Sequence, residues 1–478
     1  MKKFKTCVHF TTLILGLSLL TVLTGCSEPH QHTYSSQWSY NSQYHYHTAT
    51  CLHSDEVSDL SSHIFQSTVI QEATDSTEGE QTLTCTVCGY STTQIIPITY
   101  IASEAADKIS NLQSGSYNIK VTGEITNDII SSIKTSLLDN QSRYIALDLS
   151  ETTGLTELED NAFTYKENYT YTGTPLTSLV LPETVTSIGD RCFYNCKSLE
   201  SIKAPGVTTL ESGAFYVCSA LTDITLAQEL DSVGSIAFGY CTSLTSLTLN
   251  AKSIGSDVIT GDTKLETLTL GAAVQTISTS GLKGHLSALN AFTTISVDSA
   301  NKNFKTIDGI LYTYDGTRLI CCPDALDITS LTVNSKVTSI DSKAFANCTN
   351  LTSVTLPNIE SIPGYTFYSC SSLNNVSIPS VTEIGSMAFY RCEALESIEL
   401  PDTLKSIGMY TFAYDTSLPS IFIPSNVTAI KSQAFSGWTS SQTINCEPES
   451  APSGWDSKWS YYSSSTEAKA TINWGCTR

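Results

Sequence analysis

The chain has 478 residues, with 25 lysines and arginines against 46 aspartates and glutamates, so its formal net charge is −21 at pH 7. This acidic balance argues against binding to a nucleic-acid backbone, which requires a basic surface. The chain is longer than one compact domain usually is, so several domains or a repeat architecture are expected.

The first 25 residues have the features of an export signal. Positions 1–5 contain three lysines, and the apolar run from Val8 to Leu23 that follows is shorter than a membrane span requires. Leu23-Thr24-Gly25-Cys26 then resembles a bacterial lipobox, which directs cleavage before the cysteine and lipid attachment to it. We therefore predict a lipoprotein signal peptide over 1–25 and lipidation of Cys26. The alternative is an ordinary signal peptide with an incidental cysteine.

A small metal module is predicted next. Residues 26–50 are rich in histidine, tyrosine and serine and are interpreted as a linker. The run Cys85-Thr86-Val87-Cys88-Gly89 resembles a zinc knuckle, so residues 51–98 are predicted to form a zinc-ribbon-like module with one structural zinc. A disulfide between Cys85 and Cys88, or one that includes Cys51, is the alternative after export. The predicted ligands are Cys51, His63, Cys85 and Cys88, with His53 or His47 as substitutes.

Residues 99–143 are predicted to form an N-terminal cap. Apolar spacing indicates helices over 102–112 and 127–138, the second with Asn127 as its cap, and a strand over 117–122. A strand over 144–149 is expected to pair with the first repeat. A cap is needed because the end of a solenoid otherwise exposes its core.

Residues 144–446 repeat one pattern. The copy from Leu373 to Leu395 reads LNNVSIPSVTEIGSMAFYRCEAL, with apolar spacing that is neither helical nor strictly alternating. One copy cannot bury these side chains, whereas stacked copies can. Degenerate copies near 244–254 and 265–277 keep the strand pattern without the phenylalanine. That phenylalanine, the frame phenylalanine, recurs mostly at steps of about 22 or 23 residues, at Phe163, Phe193, Phe215, Phe238, Phe345, Phe367, Phe389, Phe412 and Phe435.

The frame L-x-x-I-x-L-P-x-x-V-x-x-I-G-x-x-A-F-x-x-C resembles the leucine-rich repeats of BspA-like surface antigens, exported proteins of host-associated anaerobes and spirochaetes. The resemblance implies a repeat α/β leucine-rich-repeat solenoid of short parallel strands, with about 11 to 12 repeats. It also accounts for a hairpin insert over 297–329. There, Asp315-Gly316 is the turn between strand runs at 309–312 and 318–320.

Two further features complete the repeats. Residues 447–478 are predicted to cap the C-terminal end, with Trp455 and Trp459 covering the core and 472–474 adding a strand. The cysteines of the frame occur in runs of three, which cannot all pair, so they are interpreted as small buried apolar side chains. They are Cys196, Cys218, Cys241, Cys348, Cys370 and Cys392.

Residues between the core positions of each strand should share one face, which we predict as the binding surface. A solvated sheet face made of good strand formers, without a partner, is the alternative. The predicted surface residues are Ser201, Lys203, Asp223, Thr225, Ser246, Thr248, Ser353, Thr355, Asn375, Ser377, Ser397 and Glu399.

No enzyme motif is recognised, and His285 is the only histidine in the repeats, so the usual general base is missing. The resemblance implies an exported, membrane-anchored lipoprotein of the outer membrane or cell surface, with adhesin-like binding of host matrix proteins or other bacteria. Its expected partners are extracellular or envelope proteins, with no nucleic acid and no small-molecule substrate. The alternative is an envelope assembly protein with bacterial partners and a metal-binding N-terminal module.

Overall fold

The computed structural model describes residues 32–50, 57–285, 288–463, 466–467 and 469–478. It divides into two compact units. The N-terminal unit comprises Met1–Ile70 and Glu80–Gln94, and the solenoid unit comprises Gln71–Gly79 and Ile95–Arg478. The predicted signal peptide and Cys26 lie outside the described residues.

The N-terminal unit is built from short strands, which are antiparallel in its first sheet. Its first sheet has the order β1-β2-β3 and its second the order β4-β5-β6. Two of these strands come from residues 26–50, so our interpretation of that whole segment as a linker is wrong. The strands are β1 (Ser39–Tyr40), β2 (Tyr44–Thr48), β3 (Val57–Ser62), β4 (Phe65–Gln71), β5 (Gly79–Cys85) and β6 (Ser91–Ile96).

The solenoid unit begins with alternating strands and helices: β7 (Ile98–Ile101), α1 (Ala102–Ser110), β8 (Gly115–Glu124), α2 (Asn127–Leu138) and β9 (Arg143–Thr153). The three strands pair in parallel, and β9 then pairs in parallel with the first repeat strand at Leu176–Val180. Asn127 is not the cap of α2. Thr126 is, because its side chain accepts a hydrogen bond from the backbone N–H of Ile129.

The repeats contribute many strands of two to five residues. In chain order they are β10 (Glu157–Leu158), β11 (Thr164–Glu167), β12 (Thr170–Gly173), β13 (Leu176–Val180), β14 (Ser187–Ile188), β15 (Ser201–Lys203), β16 (Thr209–Leu210), β17 (Asp223–Thr225), β18 (Leu230–Val233), β19 (Ser246–Leu249), β20 (Ala251–Ile254), β21 (Thr267–Leu270), β22 (Thr276–Ile277), β23 (Thr294–Val297), β24 (Phe304–Ile307), β25 (Ile310–Thr313), β26 (Arg318–Cys321), β27 (Ser330–Thr332), β28 (Ser339–Ile340), β29 (Ser353–Thr355), β30 (Ser361–Ile362), β31 (Asn375–Ser377), β32 (Glu383–Ile384), β33 (Ser397–Ile398), β34 (Ser406–Ile407), β35 (Ser420–Ile423), β36 (Ala429–Ile430), β37 (Thr443–Cys446) and β38 (Thr471–Asn473).

Two sets of parallel ladders run along the solenoid. The first set has the orders β17-β15-β13-β9-β8-β7, β19-β21-β23, β27-β29-β31-β33 and β35-β37-β38. The second has the orders β10-β14-β16-β18-β20-β22 and β30-β32-β34-β36. Most repeats therefore give one strand to each set, and β28 instead pairs in parallel with β26 of the insert. The solenoid and its short parallel strands are confirmed.

The frame phenylalanines form two columns in the core. All nine are fully buried, and neighbouring rings stack with centroids 5.2 Å apart at Phe193–Phe215 and 5.4 Å apart at Phe389–Phe412. The frame glycine has a packing reason as well: a Cβ on Gly385 would lie 2.5 Å from the backbone nitrogen of Gly364 in the preceding turn. Ring and glycine together fix the register of stacked turns.

The insert separates the core into two clusters. Strand β25 lies between β24 and β26 and is antiparallel to both, so the insert has three strands rather than the two we predicted. Successive side chains of a strand point to opposite faces. Leu311 accordingly belongs to the first cluster, and Ile310 and Tyr312 belong to the second. Both faces of β25 are buried, which explains its continuous apolar run.

The C-terminal residues close the second cluster. Trp455 and Trp459 are 7% and 6% exposed, and Trp459 meets Phe435 edge-on at 5.8 Å. Strand β38 pairs in parallel with β37 and ends the ladder. Neither helix of the described residues has the length and apolar character needed to cross a membrane.

Candidate functional site

Four metal-ligand side chains meet in the N-terminal unit. His45 lies on β2, His63 precedes β4, and Cys85 and Cys88 stand at the turn after β5. One ligand atom from each lies within 4.8 Å of the other three. The Cys88 Sγ is 3.4 Å from His63 Nδ1, and the Cys85 Sγ is 3.8 Å from His45 Nδ1.

The cysteine turn is held by backbone hydrogen bonds. The N–H of Cys85 donates to the carbonyl of Tyr90 at 2.7 Å, and the N–H of Gly89 donates to the carbonyl of Cys85 at 3.0 Å. Gly89 has φ +75°, a left-handed conformation that glycine adopts without strain. The turn therefore directs both thiols of Cys85 and Cys88 toward the same point.

Three of the four predicted ligands thus lie together: His63, Cys85 and Cys88. Cys51 and the substitute His53 lie outside the described residues. His47 lies apart from this group, because its ring stacks on Trp38 with centroids 4.0 Å apart and its Nδ1 meets the carbonyl of Gln37. His45, which we did not select from the four histidines of the segment, completes the group.

The thiols of this group differ in acidity. Burial raises the pKa of Cys85, but the backbone N–H groups of Cys88 and Val87 and the ring of His63 lower it, and the result is a pKa of about 5. The pKa of Cys88 is raised, first by desolvation. The carbonyl of Asn41 raises the pKa of His63. Cys85 therefore provides the thiolate, the form of cysteine that binds metals.

A second candidate site is the strand face of the solenoid. Ser201 pairs with Asp223 and Lys203 with Thr225 in parallel register, so their side chains form columns along the first set of ladders. Ser201, Ser353 and Thr355 are half-buried, and the other nine predicted surface residues are exposed. The structure thus places all twelve at the surface, mostly as hydroxyl and amide groups.

This face carries two grooves. One of about 290 Å³ opens where the first set of ladders is interrupted between β17 and β19, and Asp223, Ser246 and Thr248 line it. The other, of about 640 Å³, includes Ser397 and Glu399. The C-terminal Arg478 reaches into the second groove, with its guanidinium 3.1 Å from the Glu399 carboxylate.

Sequence reasoning missed two columns of tyrosines beside the frame phenylalanines. Neighbouring rings lie 4.8 Å apart at Tyr194–Tyr216 and 5.0 Å apart at Tyr368–Tyr390. The guanidinium of Arg391 lies over the rings of Tyr390 and Tyr414 at 5.8 and 5.6 Å. For four of these tyrosines the signal was the dipeptide Phe-Tyr at the frame position, whereas Tyr240 and Tyr414 come two residues after their frame phenylalanine. The columns are Tyr171, Tyr194, Tyr216 and Tyr240, then Tyr368, Tyr390 and Tyr414.

A family model described as the BspA type leucine-rich repeat region matches residues 164–287 and 321–442, in six copies. These residues make up just over half of the chain. The chain belongs to the BspA-type leucine-rich-repeat family. No match is found among curated proteins.

Solved structures share this fold. The pneumococcal vaccine antigen PcpA is 19% identical with a TM-score of 0.50, over 85% of this chain and 98% of that one. A leucine-rich cell surface protein from Faecalibacterium prausnitzii is 26% identical over 68% of this chain and 84% of that one, with a TM-score of 0.46. A leucine-rich repeat protein from Eubacterium ventriosum is 21% identical over 55% and 82%, with a TM-score of 0.38.

In these BspA-type repeats five of the six frame cysteines donate to the carbonyl of the frame phenylalanine one repeat earlier, whereas Cys348 donates to the carbonyls of Cys322 and Pro323 in the insert. The Sγ of Cys218 donates to the carbonyl of Phe193 at 3.1 Å, and the Sγ of Cys392 donates to the carbonyl of Phe367 at 3.2 Å. Trp438 holds the same position in the last repeat, and its Nε1–H donates to the carbonyl of Phe412 at 2.8 Å. We name this position the donor position. Its cysteines are free thiols. Burial raises the pKa of Cys196 to about 11, and it also raises the pKa of Cys218, Cys241, Cys370 and Cys392.

Proposed function

We propose that this protein is a surface-anchored binding protein whose BspA-type repeats contact other proteins. Extended solenoid surfaces generally serve this purpose. The observation that carries the proposal is the pair of half-exposed tyrosine columns with Arg191 and Arg391 beside them. Tyrosine and arginine are enriched at protein interfaces and among the residues that dominate binding energy.

The strand face is the weaker candidate for the binding energy. Serine and threonine are under-represented among dominant interface residues, and their presence on a strand is also explained by good packing on a pleated surface. We therefore assign the main contact to the tyrosine columns and a supporting contact to the strand face. Membership of the BspA-type family supports an adhesin-like role toward host matrix proteins or other bacteria.

Anchoring through Cys26 belongs to the same proposal. Replacing it, Cys26→Ser, removes the thiol to which the lipid is attached, so the variant should leave the detergent phase in a phase-partition assay. Attachment through more than one acyl chain is what makes membrane binding stable. A variant that still partitions with membranes as the native protein does would disprove the lipid anchor.

The binding test uses the full-length protein against separate host-matrix and bacterial-envelope fractions. Replacing four tyrosines together, Tyr194→Ser, Tyr216→Ser, Tyr368→Ser and Tyr390→Ser, should weaken capture by about tenfold or more. The matched strand-face variant, with Ser246→Ala and Thr248→Ala, should change it by about threefold or less.

The two fractions separate the alternatives. Capture from the host-matrix fraction supports the adhesin-like role, whereas capture from the bacterial envelope alone supports the assembly role. Absence of capture from both would overturn the proposal. A strand-face variant that loses as much binding as the tyrosine variant would move the contact to the strands.

A further inference from the structure

We propose that His45, His63, Cys85 and Cys88 bind one zinc ion in a closed tetrahedral site that stabilises the N-terminal unit. Two thiolates and two imidazoles are a complete ligand set for structural zinc. A tetrahedral ion bound at about 2.3 Å by sulfur and about 2.0 Å by nitrogen requires ligand atoms about 3.3–3.8 Å apart. The four ligand atoms lie within 4.8 Å of one another, so the widest separation would have to shorten by about 1 Å when zinc binds.

The hydrogen bonds of His63 select the ligand nitrogen. Its Nε2 lies 2.8 Å from the carbonyl of Asn41, and a carbonyl only accepts, so Nε2 carries the proton. The Nδ1 of the neutral ring then directs its lone pair toward the Sγ of Cys88 at 3.4 Å. Metal-binding histidines characteristically donate their other N–H to such an oxygen, which fixes the orientation of the ring.

Aromatic rings surround the two histidines. Trp38 meets the ring of His45 edge-on at 4.7 Å, and Tyr90 stacks on the ring of His63 at 4.8 Å. His45 and Cys85 are 3% and 2% exposed, whereas His63 and Cys88 are only partly buried. The site is thus enclosed on the side of β2 and accessible on the side of the cysteine turn, which leaves a path for the ion.

The described residues of the N-terminal unit form no hydrophobic core of their own. Among its described residues only His45, Ala49 and Cys85 are buried, so two of the three buried side chains are proposed ligands. Every residue of β4 is exposed. A unit of this size with so little apolar burial needs a metal or a disulfide, and metal-binding energy would become folding energy.

Zinc fits this ligand set better than other ions. Soft sulfur with borderline imidazole in a tetrahedral arrangement favours zinc over magnesium or calcium, which prefer oxygen. Four protein ligands leave no position for a water molecule, so the site is structural and not catalytic. The proposal does not depend on the binding function of the repeats.

The test is elemental analysis of the full-length protein purified under reducing conditions. We expect one zinc per chain, and at least a tenfold loss of zinc in the double variant Cys85→Ser, Cys88→Ser. His45→Asn should lose zinc similarly, while His45→Cys, which retains a ligand atom, should keep it. The matched control is His47→Asn, two residues along the same strand, which should keep the full zinc content.

Cobalt substitution gives a second measurement. Cobalt bound by thiolates absorbs through sulfur-to-metal charge transfer, and this absorption should disappear in the double cysteine variant. Cys51→Ser separates the two assignments of the fourth ligand: retained zinc supports His45. Zinc lost in Cys51→Ser but kept in His45→Asn would overturn the assignment of His45. A native protein without zinc, or with a Cys85–Cys88 disulfide, would overturn the site itself.

Discussion

Asp415 stands at the donor position where neighbouring repeats have cysteine or tryptophan. It is fully buried, its Oδ1 accepts from the backbone N–H of Cys392 at 2.9 Å, and its Oδ2 has no hydrogen-bond partner among the described residues. Burial raises the pKa of Asp415 well above its usual range. We predict that Asp415→Asn stabilises the protein at pH 7, because the amide keeps the acceptor and provides a permanent donor.

The size of the stability gain in Asp415→Asn follows from the unpaired Oδ2 of Asp415. A buried polar atom without a partner costs about 1–3 kcal/mol, so the gain should have that size. One repeat later, Trp438 donates to the carbonyl of Phe412. By analogy, the side chain at position 415 should donate to the carbonyl of Phe389. A protonated Asp415 can supply that donor, whereas an ionised one cannot.

The gain should depend on pH. In the unfolded chain the carboxyl ionises near its ordinary pKa of about 3.9, but in the folded chain it stays protonated to higher pH. A raised folded pKa means that the contribution of Asp415 to stability is fully present below about pH 3.9 and falls as pH rises toward the folded value. The amide does not titrate. The difference between Asp415→Asn and the native protein should therefore shrink as the pH is lowered to 4.

The assay is urea unfolding at pH 7 and pH 4, compared through midpoints at unchanged slope. Asp223→Asn, at an exposed aspartate, is the matched control and should shift stability by less than about 0.5 kcal/mol. Equal gains at both pH values, or a loss of stability at pH 7, would refute the reasoning. Asp262 is also buried, and its Oδ1 accepts a hydrogen bond from the backbone N–H of Cys241. Asp262→Asn should therefore show the same pH-dependent gain in stability.

Two further predictions concern the core. Phe389→Ala should cost about 3–5 kcal/mol in the same unfolding assay, because the ring is fully buried between two others, whereas Met409→Ala, at a 42% exposed side chain, should cost less than about 0.5 kcal/mol. A loss of stability under about 1 kcal/mol in Phe389→Ala would contradict the burial of this ring in the column of frame phenylalanines. Lys283→Met should cost about 3–5 kcal/mol, because it leaves the buried carboxylate of Asp324 unpaired. The double variant with Asp324→Leu should recover most of that loss, and a failure to recover would show that the lysine acts through its bonds to backbone carbonyls.

The solenoid could be predicted because its signal is periodic. A phenylalanine that returns at nearly constant steps must stack on its neighbours if it is to be buried, and the columns confirm this. Phe292 and Lys283 could not be predicted in the same way. Both are fully buried in the irregular stretch before the insert. In that stretch no repeat pattern predicts which side chains face inward. The Nζ of Lys283 donates to the backbone carbonyls of Cys322 and Ala346, which are distant in sequence.

For the cysteines of the frame, the sequence predicted burial but not the hydrogen bonds that their thiols donate. Their burial follows from position, but their role as donors depends on a carbonyl of the preceding turn, which no local pattern shows. His45 was missed for a related reason. In a regular strand His45 and His47 would point to the same side, but the pairing of β2 with β3 shifts register between them. That irregularity separates their surroundings and cannot be derived from residue spacing.

The core and the proposed binding surface share the repeat of the solenoid. Phe193 and Phe215 stack 5.2 Å apart inside the solenoid, and the next residues, Tyr194 and Tyr216, stack 4.8 Å apart at its surface. Because one ring of each pair is fixed by the core, the other cannot move independently along the solenoid. A partner bound at the proposed surface would therefore meet a column of rings whose positions are set before binding, which would lower the entropy lost on association. Additional repeats lengthen that column without changing its spacing, so contact area can grow while the local geometry stays constant.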